Sequence, residues 1–258
     1  MIPLTTKQDW NDSYTTRDEP VDLKLGWRDY TNGLIAKKIQ GIGLDGKKIL
    51  EIGAGDSYWL PFFAKQYPNS RFAGLDYSPA GCEKLANRIA FSGLSNLDVY
   101  HQDMFETGNA LHGTFDLVIS FGLVEHFTVL SEVLRIKSLY LNRQGYLFTL
   151  IPNMAGSIGY LTKRFNRKVY EAHNPHDWHS FRDGHRQAGL TVIAGGYLGS
   201  TNFGVLSSCF HNKAGLSWHS YVFLSRLSKA VFFMENQYRD LPTSKLFSPY
   251  IYAISQAG

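Results

Sequence analysis

Cysteine is scarce. The 258 residues hold only Cys82 and Cys209, which form neither a CxxC pair nor a zinc pattern. A disulfide framework is not expected, and a reducing, cytoplasmic compartment is the simpler expectation. No apolar run approaches the roughly 18 residues that a membrane-spanning helix needs, so no membrane partner is expected. Met1–Trp10 has no apolar core and is not expected to act as a signal peptide. Repeats and low-complexity tracts are absent. Charge is sparse, with 19% charged residues and a net charge of only +4. Binders of nucleic acid usually show a concentrated basic face, so nucleic acid is not expected as a partner either. The sequence does hold ample apolar material, 44% of residues, enough for the core of one large α/β domain.

The chain is organised around Lys48-Ile49-Leu50-Glu51-Ile52-Gly53-Ala54-Gly55-Asp56-Ser57. A short apolar run reads as a buried parallel strand, followed by a sharp turn at Gly53 and Gly55 into a helix over Tyr58–Gln66. Such a turn leaves backbone N–H groups free and lets a ligand approach the main chain closely. A dinucleotide fingerprint needs a third small residue for tight helix packing. Tyr58 stands at that position and is large, which disfavours a nicotinamide dehydrogenase. Glu51, two places before the first glycine, is of no use to an anion but suits a ligand with sulfonium and ammonium groups.

Glu51-Ile52-Gly53-Ala54-Gly55 fits the pattern E/D-x-G-x-G, and in this the chain resembles the class I S-adenosylmethionine-dependent methyltransferases. Ser57 replaces the frequent third glycine of that motif. Asp76 follows Gly53 by 23 positions and ends a second strand, Arg71–Asp76. A carboxylate there can accept both hydrogen bonds of a ribose diol. The resemblance assigns Asp103 to the adenine amino group and Met104 and Phe105 to the faces of the ring. It further implies that Ala54, Tyr77, Phe121 and Glu125 take part in the cofactor pocket. An acid–His pair after the fourth strand, Glu125-His126, is also frequent in the family. Trp10 and Tyr14, four apart in a helix expected over Thr6–Tyr14, are assigned to an N-terminal lid over the cofactor.

The resemblance implies a doubly wound, mostly parallel seven-stranded sheet whose last strand is antiparallel. Residues 1–46 are expected to form the helical lid, 47–199 the cofactor-binding core, 200–246 a helical insertion and 247–258 the last strand. Several boundaries come from local signals. Ser78-Pro79 caps a helix through Arg88, and Gly41 is expected as a left-handed stop to a helix over about Asp29–Gln40. A helix is expected over Val129–Leu141 and a fifth strand over Gly145–Ile151. Asn153–Asn174 reads as irregular, with Lys163, Arg164, Arg167 and Lys168 on a solvated face. The aromatics of Leu216–Tyr238 either roof an apolar substrate or simply pack the insertion, and packing is slightly favoured.

Methyl transfer is an in-line displacement that depends mainly on alignment. An O–H or protonated N–H acceptor must also lose a proton, which a histidine near pH 7 serves best. His126 is the first candidate for that base and His176 the second, with Asp177 as partner. No metal is expected, because His173 and His176 flank Pro175, where helical ligand spacing fails. The expected cofactor is S-adenosyl-L-methionine, with S-adenosyl-L-homocysteine as product. The expected acceptor is an O or N atom of a small, apolar or ring-bearing molecule. A protein or RNA methyltransferase and a non-catalytic cofactor-binding domain are the alternatives.

Overall fold

Strand β1, Lys48–Ile52, starts exposed and runs into four buried residues. Its side chains alternate between two layers. Leu50 and Ile52 join one apolar cluster and Ile49 the other, so both faces of the sheet are covered. The computed structural model describes residues 2–15, 23–210, 212–238 and 241–257.

The other strands are β2 Arg71–Asp76, β3 Leu97–His101, β4 Phe115–Phe121, β5 Leu141–Pro152, β6 Leu190–Leu198 and β7 Tyr250–Ala257. They form one sheet in the order β3-β2-β1-β4-β5-β7-β6. β7 runs antiparallel to both β5 and β6, and the β1, β2, β3, β4 and β5 pairings are parallel. This is the sheet implied by the sequence resemblance. The chain leaves β1 towards β2 on one side and returns to β4 on the other. A ligand crevice belongs at that switch, beyond the carboxyl ends of the strands.

The helices are α1 Lys7–Thr15, α2 Tyr30–Gln40, α3 Trp59–Gln66, α4 Pro79–Ser92, α5 Leu130–Ser138, α6 Ser157–Phe165, α7 Arg167–Glu171, α8 Trp178–Gln187 and α9 Gly215–Tyr238. Ile35 and Ile39 of α2, Leu60 and Phe63 of α3 and Leu85 of α4 cover one face, with Val133 and Leu134 of α5 and Phe181 of α8 on the other. The Ser78 side chain caps α4 by accepting the Gly81 N–H at 3.2 Å. That helix runs one turn past Arg88, to a left-handed Gly93 at φ 62°. Gly41, expected to be left-handed, is right-handed at φ −63°, and Gly43 at φ 81° turns the chain instead. α5 ends before Leu141, because Leu141 already pairs with Phe115 as the start of β5.

Asn153–Asn174 is more regular than expected. Ile158 and Thr162, four apart, bury one side of α6, while Lys163 and Arg164 stay exposed. Asn166 then caps α7 by accepting the Val169 N–H at 3.2 Å. No described α9 residue lines the crevice, and part of its aromatic set packs while Phe223, Phe233 and Tyr238 stay exposed. Trp218 and Tyr221 gather round Phe210 at 5.7 and 5.1 Å, and Phe232 meets Tyr30 at 6.3 Å. No helix among the described residues is long and apolar enough to cross a membrane. Cys82 and Cys209 are buried and free.

Candidate active site

At the end of β1 the chain turns through Gly53 at φ 76° and Gly55 at φ 25°, conformations that a side chain disfavours. The Gly53 and Ala54 N–H groups donate to the Leu75 carbonyl at 2.9 and 3.2 Å, and the Gly55 N–H donates to Oδ2 of Asp76 at 2.8 Å. The loop is thus tied to the end of β2. A Cβ on Gly55 would collide with the Tyr14 ring, so that ring lies directly on the loop. The Tyr14 hydroxyl donates to Oδ2 of Asp76 at 3.4 Å.

Glu51 is 4% exposed. Its Oε2 accepts the Ser57 hydroxyl at 2.6 Å. Burial pushes its pKa up to about 8, with the Ser57 hydrogen bond opposing and the Asp76 charge adding to the rise. Ser57 therefore does local work that a glycine could not. It holds Glu51 and accepts the Trp59 and Leu60 N–H groups at 3.1 and 3.3 Å at the start of α3. Burial also raises Asp76, against hydrogen bonds from the Ser78 and Gly55 N–H groups and Tyr14. Two buried carboxyls beside an open glycine turn form an environment that a cationic ligand would relieve. The residues fit S-adenosylmethionine in that respect.

Beyond the ends of β1, β2 and β4 lies a cavity of about 430 Å³. Of the residues expected in the site, Trp10, Tyr14, Glu51, Gly53, Ala54 and Asp76 line it. Tyr77, Met104, Phe105, Phe121, Glu125 and His126 also line it. Three expected residues do not. Gly55 lies beneath Tyr14. Asp103 is turned to the lid, where Oδ2 pairs with Lys7 Nζ at 2.8 Å and Oδ1 accepts the Phe105 N–H at 3.1 Å. Its neighbour Gln102 lines the cavity instead. His176 is buried against Phe181 at 6.5 Å and Ser180 at 3.5 Å, away from the cavity.

His173 takes the place that His176 was expected to hold. It belongs to the same histidine-rich stretch, but only the fold reveals which member faces inward. Other walls were unforeseen. Val205 and Ser208 come from a 3-10 helix over Phe203–Cys209. Asn32, Tyr58 and Tyr250 line the cavity as well. Tyr58 was noticed in the sequence only as an obstacle to a dinucleotide.

His126 closes a 3-10 turn over Val124–His126. Its Nδ1 lies 2.7 Å from the Ala172 carbonyl, and its ring centroid lies 5.1 Å from Trp10 and 4.5 Å from His173. Burial pushes the His126 pKa down to about 4, helped by His173 and opposed by the Ala172 and Gly122 carbonyls. The sequence argument asked for a histidine near 7. This one is neutral at pH 7 but weakly basic, because its shell is dry. Burial lowers His173 as well, and its Nδ1 lies 2.7 Å from the Val169 carbonyl. Glu125 is 1% exposed. Burial lifts it to about 8, its own backbone N–H and Lys137 opposing. The lid is stitched to this same corner. The Leu4 N–H donates to the His126 carbonyl at 2.7 Å and the Thr128 N–H to the Ile2 carbonyl at 3.0 Å.

Residues 50–147 match the family model described as a methyltransferase domain. Over 136 residues the chain is 26% identical to a probable (S)-tetrahydroprotoberberine N-methyltransferase 2 of Papaver bracteatum, covering 53% of this chain and 35% of that protein. Over 64 residues it is 34% identical to a tRNA (guanine-N(7)-)-methyltransferase of Xanthomonas axonopodis pv. citri, covering 25% of this chain and 24% of that one. The chain thus spans between about a quarter and about a third of the length of these curated relatives. Among solved structures, coclaurine N-methyltransferase bound to N-methylheliamine and SAH superimposes with a TM-score of 0.60 at 14% identity, covering 93% of this chain and 75% of that one.

Proposed function

We propose that this chain, whose residues 50–147 match a methyltransferase domain model, is a class I S-adenosylmethionine-dependent methyltransferase that transfers a methyl group to an O or N atom of a small, ring-bearing or apolar acceptor. The observation that carries the reading is that one cavity is lined both by the buried carboxyls of Glu51 and Asp76 beside the glycine turn and by a set of aromatic and histidine side chains, among them Trp10, Phe121 and His126. S-adenosylmethionine supplies a methyl group already activated on a cationic sulfur.

The chain's own residues then have modest tasks. Glu51 offsets positive charge, Asp76 accepts from ribose hydroxyls, and Met104 with Phe105 flanks the adenine. The lid residues Trp10 and Tyr14 exclude water. Holding acceptor and donor in line supplies on the order of 7–11 kcal/mol of the barrier. A neutral His126 hydrogen-bonds the acceptor, which suits a neutral amine that needs no strong base.

The test is incubation with methyl-labelled cofactor and separate panels of amines, phenols, tRNA and protein. Label is expected in an amine or phenol. Label in tRNA alone, to which the partial tRNA methyltransferase similarity would then be relevant, overturns the acceptor class.

A further inference from the structure

Glu125, His126 and His173 each offer one ligand atom, and these atoms lie within 4.8 Å of one another. The grouping is made by the fold. Two of the residues come from the turn after β4, and the third comes from the segment after α7, 47 positions on. All three line the cavity.

The two imidazoles are held in one tautomer. Nδ1 of His126 and Nδ1 of His173 each stand 2.7 Å from a backbone carbonyl, of Ala172 and Val169 respectively. A carbonyl only accepts, so in the neutral rings each Nδ1 carries the proton and Nε2 is the nitrogen left to bind an ion, with the Gly122 carbonyl also close to the His126 ring. Metal-binding histidines are commonly oriented in this way, by an acceptor behind the ring. Glu125 supplies the second, independent observation. It is 1% exposed, and neither carboxyl oxygen has a side-chain or main-chain hydrogen-bond donor of good geometry among the described residues. A buried polar group without a partner is costly, which argues for a partner that arrives from outside the chain.

We propose that Glu125, His126 and His173 bind one divalent transition-metal ion of the zinc type at the wall of the cavity. Two imidazole nitrogens and one carboxylate oxygen suit Zn²⁺ and its borderline neighbours, whereas Mg²⁺ and Ca²⁺ prefer oxygen alone. To share one ion at about 2.0–2.2 Å, the three donors draw together by about an ångström. Three protein ligands leave a coordination position for water or an acceptor oxygen, the arrangement of catalytic rather than structural zinc. The ion site goes beyond the proposed methyl transfer and does not depend on it; with the ion bound, the open coordination position takes over the contact to the acceptor that Nε2 of a metal-free His126 would make.

The test uses the full chain, stripped with a chelator and free of cofactor and acceptor. Co²⁺ is titrated and followed by its visible ligand-field absorption, and Zn²⁺ is titrated by calorimetry. The expected result is one ion per chain, with Zn²⁺ displacing Co²⁺ and Mg²⁺ failing to do so. H173A and E125Q are each expected to weaken Zn²⁺ binding about tenfold or more, and H179A, an exposed histidine outside the cluster, to leave it unchanged. Unaltered affinity in H173A and E125Q overturns the proposal. Should those variants unfold, the wild-type titration decides alone, and the absence of a one-equivalent Co²⁺ band overturns it.

Discussion

Tyr14 and Asp76, 62 positions apart, meet above the glycine turn, with the phenol hydroxyl 3.4 Å from Oδ2. The ring fills the space that a Cβ on Gly55 would need, and it also lies 3.0 Å from where one on Gly81 would sit. Tyr14 is the buried residue of the lid helix. The helix is also tied by Lys7 to Asp103, by Trp10 against the His126 ring and by Asn11 accepting the Ser78 hydroxyl, while residues 2–4 contact the His126 corner. Y14A is expected to free α1 locally while the sheet stays folded. Hydrogen exchange should then quicken across residues 7–15 and stay unchanged in β1 and β4. Protection unchanged in α1 would mean that the lid is held by other contacts.

Asp76 and Asp103 make opposite predictions although the sequence assigns both to the cofactor. Asp76 lines the cavity, and Asp103 is turned away to Lys7. D76A is expected to weaken S-adenosylmethionine binding by about 1–3 kcal/mol, since it removes a charged acceptor. D103A is expected to weaken it by much less. Calorimetry on the two variants checks this, and equal losses would restore Asp103 to the site.

The buried carboxyl of Glu51 sets a pH dependence. Its pKa is raised from 4.5 to about 8 in the folded chain. Between those values the unfolded chain ionises and releases a proton while the folded chain keeps it. This group therefore makes folding less favourable as pH rises through that window. E51Q removes the effect. Urea denaturation at pH 5 and pH 8 should show the variant gaining on wild type at the higher pH. A cationic ligand favours the ionised form, so its affinity for wild type should rise over the same window.

Behind the glycine loop, Arg88 pairs with Asp56 at 2.8 Å, with side chains 4% and 10% exposed. R88A leaves that carboxylate buried and unpaired, at an expected cost of about 3–5 kcal/mol. The exposed pair Arg167–Glu171, 2.7 Å apart, has side chains 76% and 59% exposed and is the contrast. R167A should change stability by less than about 1 kcal/mol. Chemical denaturation of the two variants compares them.

What was legible in the sequence was local. Glu51, Gly53 and Asp76 follow from strand, turn and strand at short spacing, and the Ser78 cap from two adjacent residues. The mostly parallel seven-stranded sheet with its antiparallel last strand followed from the family resemblance, while the strand order came only with the fold. What was not legible depends on contacts far apart in the chain. Lys7 draws Asp103 away from the cavity across 96 positions. His173 faces inward, and His176 does not, because the Val169 carbonyl orients the first ring and Phe181 and Ser180 receive the second. The low pKa of His126 arises from the dryness of its corner, to which the distant His173 contributes.

The central claim is that the cavity between Glu51 and Asp76 takes S-adenosylmethionine. Thermal denaturation with S-adenosylmethionine, S-adenosylhomocysteine and NAD, each added alone, tests it most directly. A ligand at 100 times its Kd adds about 2.7 kcal/mol of stability if it binds only the folded chain. The account predicts a raised Tm with the first two and none with NAD. A shift with NAD alone would contradict it.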